Sequence, residues 1–399
     1  MTRPKLSRRH FLQAAGAALT TAGIGQWQVE RYGKVLAQST PRKLALLVGI
    51  NDYADAPLGG CVNDVILQRQ LLIHRFGFNP KDILLLTDGA ATRQGLLDAF
   101  ETHLIEQAKP GDVVVFHYSG HGSQVLDPNP IFTDELGNGL NGTFVPQDAT
   151  LPENYLLGGE VNDIMGHTLF LLMSAIQTEQ FTAVLDSCFS GSATRSNDEL
   201  AIKHRARLGG SNIAIAAIEK DYQQQWLSRL GWSPEAFVAK YRQGIANGVV
   251  LAATQRDQYA VDEPFAGFWA GAFTFRLTQR LWQTDTTPAA AIDYVNSIIP
   301  ADYEQNPLVE AERGSGYGQQ PMFFVTEPNG AAEAVVVERQ GDKAILLLVG
   351  IDPGTVTRSQ RFQSSDRRNS VSILYRDGLV AVGPVTGTIR VGDRLRIQN

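Results

Sequence analysis

The sequence predicts an α/β protein with a mostly parallel sheet flanked by helices, followed by a small all-β domain. From residue 43 to residue 325, short apolar segments of strand character alternate with amphipathic helical segments, a pattern typical of βαβ units. Beyond about residue 330, β-forming segments lie between Gly, Asp and Pro turns and show no helical period. The 399 residues are 43% hydrophobic and 19% charged, an ordinary globular composition with enough chain for two domains.

The individual elements follow from local patterns. We predict strands at residues 43–50, 83–87, 113–118, 181–185, 248–254 and 320–325. The first is nearly all apolar, as expected for a parallel strand that is buried on both faces. We predict helices at residues 61–76, 92–107, 169–177, 222–243, from 272 onward and at 288–299. Asn63 or Asp64 is expected to cap the first helix.

Two segments interrupt this alternation. Residues 123–155 are rich in Asn, Gly, Asp and Pro and are predicted to form a long loop, which in a compact domain is usually functional or mobile. The basic, glycine-containing segment 195–210 has the composition of an exposed linker. Its basic residues are Arg195, Lys203, Arg205 and Arg207.

The residues before the first strand resemble a bacterial twin-arginine export signal. Ser-Arg-Arg-His-Phe-Leu at residues 7–12 precedes a mildly apolar run and the small-residue pattern Val-Leu-Ala at 35–37. We therefore expect residues 1–37 to be a signal, and the protein to be exported to the periplasm or another extracytoplasmic compartment. The alternative is a basic, frayed N-terminus. No window has the unbroken apolar length of a spanning helix, so we expect no integral membrane span once the signal is removed.

Charge and cysteine content exclude several classes of protein. Residues 1–37 carry six basic residues and one acidic residue, so the net charge of −6 for the whole chain becomes −11 for the remainder. This charge disfavours nucleic acid as a partner and favours cationic partners. Only two cysteines are present, Cys61 and Cys188, too few for a disulfide scaffold or a cysteine zinc site.

Two predicted strands deliver reactive side chains at their carboxyl ends. Cys188 follows strand 181–185, and His121 follows strand 113–118. Parallel sheets place ligand crevices at this edge, so the thiol and the imidazole are candidates for a nucleophile and its base. A lone cysteine or histidine is more often a packing residue, but both lie in small, Gly/Ser-rich motifs. The amides of Cys188 and Gly122 are candidates for binding an oxyanion.

These motifs resemble those of the caspase-like cysteine peptidases, in the metacaspase and prokaryotic orthocaspase branch. The residues concerned are Ser-Gly-His-Gly at 119–122 and Asp-Ser-Cys-Phe-Ser-Gly at 186–191. Gly-Ile-Asn-x-Tyr at 49–53 and Gly-Cys-Val-Asn-Asp at 60–64 match the branch's N-terminal signatures. The resemblance implies a caspase-like peptidase domain at 38–330, with residues 331–399 as an all-β accessory domain. The animal caspase pattern Gln-Ala-Cys-x-Gly is absent.

The resemblance implies a monomeric cysteine endopeptidase that acts on polypeptides. Cys188 would be the nucleophile and His121 the base, with a thioester acyl-enzyme as intermediate. In the branch, the residues that match Asp64, Ser119 and Asp186 line the S1 pocket. Two carboxylates beside the nucleophile suit a guanidinium or ammonium group, so the expected P1 residue is Arg or Lys.

Two further traits of the branch concern calcium and self-cleavage. The acids between the two catalytic strands, Asp127, Asp134, Glu135 and Asp148, lack dense Asp-x-Asp spacing, so we predict neither a metal site nor a cofactor and leave calcium activation open. Self-cleavage would use the basic residues of segment 195–210. Some relatives are active without it.

Two alternatives remain open at the level of sequence. One is a catalytically silent caspase-like interaction module, against which the presence of both Cys188 and His121 counts. The other is a cysteine hydrolase of the legumain or gingipain kind.

Overall fold

The computed structural model describes residues 41–133, 137, 139–188, 202–256 and 258–398. These residues form two compact units. The first comprises residues 43–264 and 269–328, and the second comprises 41–42, 265–268 and 329–398. The predicted export signal at 1–37 and the basic residue Arg195 lie outside the described residues.

The first unit contains strands and helices in alternation. Its strands are β1 Lys43–Gly49, β2 Ile83–Thr87, β3 Val113–Ser119, β4 Gly122–Leu126, β5 Leu140–Phe144, β6 Gly159–Val161, β7 Ile164–Met165, β8 Phe181–Asp186, β9 Lys203–His204, β10 Gly210–Ile215, β11 Val249–Ala252, β12 Val261–Phe265, β13 Phe268–Gly271 and β14 Leu308–Ala311. The last residue of β12 and the first residue of β13 are assigned to the second unit. Its helices are α1 Cys61–His74, α2 Arg93–Ala99 with a π-helical continuation Phe100–Ile105, α3 Gly166–Ser174, α4 Ala217–Leu230, α5 Pro234–Tyr241, α6 Ala272–Gln283 and α7 Pro288–Ile298.

The central sheet has the strand order β14-β11-β8-β3-β1-β2. All neighbouring pairs are parallel except β14, which runs antiparallel to β11. The residues of β3 and β8 are buried throughout, which is the reason for their nearly continuous apolar sequence. The predicted α/β class with a mostly parallel sheet is confirmed.

Register and close packing bring three chain segments together at the carboxyl edge of this sheet. Ser119 at the end of β3 pairs with Asp186 at the end of β8 and with Gly49 at the end of β1. A Cβ on Gly49 would lie 2.5 Å from the Cys61 carbonyl oxygen, so only glycine lets α1 approach β1 this closely. Asp64, in the first turn of α1, is thereby held beside Ser119.

The prediction of a structureless loop at 123–155 is wrong. Part of it forms β4 and β5, an antiparallel hairpin within a second sheet of order β6-β10-β4-β5-β7. The hairpin sequences are rich in Gly, Ser, Gln and Asn, so they lack the apolar alternation by which a strand is recognised. Their backbone groups are nevertheless paired with neighbouring strands.

The prediction of a last sheet strand at 320–325 is also wrong. The sheet ends instead at β14, and Met322–Phe324 form a 3₁₀ turn. Phe323 and Phe324 have φ angles of 53° and 55°, which no strand residue adopts. Phe323 is buried edge-on against Phe76, with 4.9 Å between ring centroids. Packing of a turn therefore accounts for the apolar run.

The second unit is all-β, as predicted. Its strands are β15 Ala334–Gln340, β16 Lys343–Leu348, β17 Arg361–Gln363, β18 Ser370–Ser372, β19 Tyr375–Asp377, β20 Val380–Thr386 and β21 Arg394–Ile397. They are antiparallel in the order β16-β15-β21-β17-β18-β20-β19, and an additional pairing of β16 with β20 closes the sheet into a barrel. Closure leaves β19 outside the ring, paired with β20, and encloses a core that includes Val336, Leu346 and Phe362.

Across both units, the described helices include none with the length and hydropathy of a membrane span.

Candidate active site

Cys188 and Gly122 direct their amides at one oxygen atom. Cys188 lies two residues beyond β8, and its backbone N–H donates to the carbonyl oxygen of Arg205 at 3.2 Å. The N–H of Gly122 donates to the same oxygen at 3.0 Å. Two amides converging on a carbonyl oxygen have the geometry that stabilises a tetrahedral oxyanion.

His121 is held by contacts on two sides. Its backbone N–H donates to the Tyr53 hydroxyl at 2.9 Å, and its ring Nε2 lies 2.7 Å from the carbonyl oxygen of Ala56. Because a carbonyl oxygen only accepts, Nε2 carries the proton in the neutral ring and Nδ1 carries the lone pair. Burial lowers the pKa of His121 to about 4, an effect that the bonds to Ala56 and to the Arg205 backbone partly oppose.

The Cys188 thiol is fully buried in this state. Its Sγ accepts a hydrogen bond from the backbone N–H of Ala260 at 2.8 Å. Burial raises the pKa of Cys188 to about 12, although the Ala260 bond acts in the opposite direction. Both the thiol and the His121 imidazole are therefore neutral near pH 7. A nucleophilic attack from this state would require the thiol to lose its proton, because the thiolate is the nucleophilic form of cysteine.

The three residues predicted to line the S1 pocket lie around the guanidinium of Arg205. Arg205 Nη2 is 2.7 Å from Asp64 Oδ2, and Nη1 is 3.1 Å from Asp186 Oδ2. Arg205 Nη1 also donates to the Ser119 hydroxyl at 2.9 Å, and that hydroxyl donates to Asp64 at 2.8 Å. Arg205 and all three of these residues are fully buried.

A fourth member of this cluster, Asp262, was missed by the sequence analysis. Its Oδ1 lies 3.0 Å from Arg205 Nη2, and its Oδ2 accepts from the Gly59 amide at 2.8 Å. Asp262 belongs to β12, 198 positions after Asp64, and no local pattern marks it. Only its position beside the other two carboxylates identifies it.

The charges in this cluster perturb one another. Burial raises the pKa of Asp64 to about 7, while Arg205 acts to lower it and Asp186 to raise it further. Burial acts to lower the pKa of Arg205, but Asp186, Cys61, Asp64 and Asp262 reverse the effect and raise it well above its usual value. The guanidinium is therefore permanently charged and retained by its carboxylates.

Asp64 does not cap a helix, contrary to the prediction that it or Asn63 does so. Helix α1 begins at Cys61 with Gly60 as its N-cap and without a side-chain cap. The carboxylate of Asp64 instead accepts from the Gly271 amide at 3.0 Å and from Ser119. These donors satisfy a charge that the packing of α1 against the sheet has buried.

Gly271 sets the width of the cavity around the guanidinium. A Cβ at this position would lie 2.2 Å from Asp186 Oδ2 and 2.7 Å from Arg205 Nη1. Gly271 precedes α6, whose residue Thr274 donates to Asp186 Oδ2 from both its amide and its hydroxyl. The absence of a side chain at 271 thus leaves room for the flat arginine head group.

The residues before Arg205 follow the cleft in an extended conformation. Lys203 and His204 form β9, which pairs antiparallel with Asp262 and Val261. The His204 ring stacks on Tyr259 with 4.6 Å between centroids.

Two side chains extend these contacts upstream. Lys203 Nζ donates to the Pro57 carbonyl at 2.7 Å and lies 5.4 Å from the centre of the Trp269 ring. Ile202 is buried in an apolar cluster with Val261 and Ala272. The whole segment lies as an extended peptide would lie in a substrate cleft.

The prediction of an exposed linker is therefore wrong at Arg205 and Arg207. Arg205 is fully buried, and Arg207 is buried with its Nη2 2.6 Å from Asp163 Oδ2. Basic residues are normally solvated, but here buried carboxylates across the fold compensate each charge. Lys203 is partly buried in β9, and Arg195 lies outside the described residues.

The acids considered for calcium have other partners. Asp127 lies 3.4 Å from the His167 ring, and Asp148 accepts from the Arg93 amide at 2.8 Å. Asp134 and Glu135 lie outside the described residues. The described part of the chain contains no group of three or more acidic, histidine or cysteine side chains arranged to hold a metal ion.

Comparison with known proteins found similar sequences and similar solved structures. Residues 43–196 match the family model for the metacaspase, peptidase C14 domain. Metacaspase-1 of Schizosaccharomyces pombe is 37% identical over 160 residues, which cover 38% of this chain and 35% of that protein. Metacaspase-1 of Candida albicans is 29% identical over 312 residues, covering 71% of this chain and 68% of that protein. The chain thus spans about a third of the first relative and two thirds of the second. Protein GSU0716 from Geobacter sulfurreducens, a solved structure, aligns with 72% of this chain and 100% of its own at 19% identity and a TM-score of 0.48.

Proposed function

We propose that this chain, whose residues 43–196 match the family model for the metacaspase, peptidase C14 domain, is a cysteine endopeptidase that cleaves after arginine and, less efficiently, after lysine. One observation carries the proposal, the position of Arg205. Its carbonyl oxygen accepts from the Cys188 and Gly122 amides while its guanidinium meets Asp64 and Asp186. Arg205 thus has the contacts that a P1 residue needs for both recognition and reaction.

The chemistry follows from the contacts of the two candidate catalytic side chains. The Cys188 sulfur attacks the carbonyl carbon of the P1 residue, and its proton passes to Nδ1 of His121. The oxyanion that forms accepts from the Gly122 and Cys188 amides. His121 then protonates the leaving amine as the carbon–nitrogen bond breaks, which leaves a thioester on Cys188. Water, deprotonated by His121, hydrolyses the thioester and regenerates the thiol.

Preference for arginine follows from the charge of the cleft. Arginine can bind several carboxylates at once through its planar fork, whereas the ammonium of lysine is a single point charge. A neutral or acidic P1 side chain would leave desolvated carboxylates without a cation. Mismatches of this kind cost on the order of 10³-fold or more in kcat/KM.

We further propose that the enzyme cleaves itself at the bond between Arg205 and Ala206. This bond lies within the basic segment 195–210, which the sequence analysis selected for self-processing. The contacts of Arg205 with the amides of Cys188 and Gly122 support an intramolecular reaction, because the carbonyl oxygen of this bond already lies between the two candidate oxyanion donors.

Mass spectrometry of incubated protein tests both parts of the proposal. Wild type should yield two fragments, one ending at Arg205 and one beginning at Ala206, whereas Cys188→Ala should stay whole. Cys61→Ala is the matched control and should cleave, because Cys61 makes none of the contacts to the Arg205 carbonyl. A reducing agent should be present, since an exported thiol is prone to oxidation.

Fluorogenic peptides ending in Arg, Lys, Asn and Asp identify the specificity. Turnover of the Arg peptide with kcat/KM about 10³-fold above the Asp peptide is expected. Preferential turnover of the Asn peptide would instead indicate a legumain-like hydrolase. Absence of turnover of every peptide by reduced wild type would indicate a catalytically silent module. Turnover retained by Cys188→Ala would refute the nucleophile.

We also propose that the protein acts as a monomer after export by a twin-arginine route. Sedimentation at micromolar concentration would test the monomeric state. The Arg8-Arg9 pair supports the route. A reporter fused after Gln38 should remain in the cytoplasm when both arginines are changed to lysine, and equal export of both versions would refute the route.

A further inference from the structure

The residues that follow Arg205 run along the edge of β4. Ala206 forms a parallel bridge with Gly122, and the Arg207 amide donates to the Gly122 carbonyl oxygen at 2.8 Å. The Ser123 hydroxyl donates to the Leu208 carbonyl at 3.1 Å. If the Arg205–Ala206 bond is the one attacked, these residues lie where the leaving side of a polypeptide substrate lies, and Arg207 has the P2′ position.

The side chain of Arg207 enters a buried, acidic site. Its Nη2 lies 2.6 Å from Oδ2 of Asp163, which sits between β6 and β7 and is fully buried. The same oxygen accepts from the Thr143 hydroxyl at 2.6 Å. Thr143 belongs to β5, which pairs directly with β4. The acid is thus fixed by the same small sheet that aligns the peptide backbone.

Asp163 needs a cation once it is buried. Burial raises its pKa, Arg207 and the Thr143 hydrogen bond act to lower it, and Glu219 adds repulsion. Removal of Arg207 would leave the desolvated carboxylate of Asp163 paired only with the neutral Thr143 hydroxyl. A basic side chain is therefore strongly favoured in the place of Arg207. A substrate that displaces residues 206–208 meets this requirement only if it brings a cation of its own.

We propose that Asp163, held by Thr143, is the specificity-determining residue of an S2′ subsite that selects arginine or lysine two positions after the start of the leaving peptide. The inference rests on the proposed endopeptidase function and extends it to the other side of the scissile bond. The preferred substrates are then polypeptides with two basic residues separated by one, in which cleavage follows the first.

The alternative is that the Arg207–Asp163 pair only anchors this chain's own segment. Substrates added in trans separate the two, because a purely structural pair has no influence on the sequence of an added peptide. The probe is a quenched fluorescent nonapeptide with the sequence of residues 202–210, Ile-Lys-His-Arg-Ala-Arg-Leu-Gly-Gly, together with versions carrying Arg207→Lys, Arg207→Gln and Arg207→Glu.

For self-processed wild type, kcat/KM for cleavage of the bond between Arg205 and Ala206, with the cut position identified by mass spectrometry, should fall in the order Arg, Lys, Gln, Glu. The ratio of Arg to Glu should be roughly 10- to 100-fold, the effect of a charged hydrogen bond gained or lost. In the Asp163→Asn enzyme the ratio should fall to within about threefold of unity. Asp127→Asn, which changes another buried carboxylate, is the matched control and should keep the wild-type ratio.

Two outcomes would overturn this inference, and they differ from failure of the proposed function. Equal kcat/KM for the Arg and Glu nonapeptides in wild type would refute the S2′ subsite. If the preference for Arg over Glu at P2′ persists unchanged in Asp163→Asn, residues other than Asp163 are responsible for that preference. A fluorogenic Ile-Lys-His-Arg amide, which has no peptide beyond P1, reports the endopeptidase alone. Its turnover by wild type without a P2′ preference would refute only the S2′ subsite.

Discussion

Two buried arginines in the first unit have very different surroundings. Arg93, the first residue of α2, pairs with a single carboxylate, that of Glu219 in α4, at 2.5 Å. The other oxygen of Glu219 accepts from the Met165 amide at 2.8 Å and from the Thr168 hydroxyl. Arg205 lies between β9 and β10 and meets the carboxylates of three aspartates.

The difference is the one expected between a structural ion pair and the binding site that we propose around Arg205. One guanidinium and one carboxylate, both carried by helices, neutralise each other and join two elements of the scaffold. Three carboxylates around one guanidinium carry excess negative charge, which destabilises a fold and is unnecessary for anchoring a segment. Such an excess is useful where an arginine has to be attracted, held and exchanged, as in an S1 pocket.

The largest expected effect comes from removing one acid from each site. Asp186→Asn should lower kcat/KM for an Arg peptide by about 10³-fold and leave the protein folded, because two carboxylates and Ser119 remain. Glu219→Gln should instead reduce the free energy of unfolding by about 3–5 kcal/mol, since Arg93 is left buried without a counter-charge. Peptide kinetics and urea unfolding of both variants measure this contrast. Full Arg activity in Asp186→Asn would show that the Arg205 site is structural as well.

The second effect is a pH dependence confined to the Arg205 site. The pKa of Asp64 is about 7, so raising the pH from 6 to 8 ionises this carboxyl and should lower KM for an Arg peptide by about tenfold. The folded pKa exceeds the ordinary aspartate value of 3.8, so the protonated form is favoured in the folded state. The stability from this group is therefore present at low pH and lost as the pH rises through about 7.

Asp64→Asn tests this assignment, because it should flatten the KM profile between pH 6 and 8. The buried groups that face Asp64 include Arg205, Asp186 and Ser119. An unchanged KM profile in Asp64→Asn would refute the assignment to Asp64.

The smallest effect is a rescue by ligand. Arg205→Ala empties a site that we propose to be exchangeable, whereas Arg93→Ala empties one that is not. Agmatine at about ten times its dissociation constant should raise the Tm of Arg205→Ala by roughly 3–5 °C and leave that of Arg93→Ala unchanged. Differential scanning fluorimetry measures both. Equal shifts in the two variants would remove the distinction between the sites.

The sequence by itself determined the architecture and most of the candidate site. Alternating apolar strands and amphipathic helices were sufficient for the parallel sheet, because each element's pattern reflects which of its own faces is buried. Cys188 and His121 stand directly after two such strands, so their proximity follows from parallel pairing. The resemblance to the metacaspase branch also selected Asp64, Ser119 and Asp186 as candidates, and all three lie around the Arg205 guanidinium.

Local patterns failed where burial depends on a partner far away in the chain. Arg205 and Asp64 are 141 residues apart, and the composition around Arg205 is that of a solvated linker. The polar strands β4 and β5 were missed for a related reason, because hydrogen bonding to neighbouring strands defines them and an apolar face does not.

Only the tertiary structure, then, decided that Arg205 and Arg207 are buried, and that Arg205 pairs with Asp262 and Arg207 with Asp163. A charged side chain is stable inside a protein when an opposite charge meets it there. The pairing of these opposite charges depends on how the sheets, helices and loops pack together, so no single stretch of the sequence predicts it.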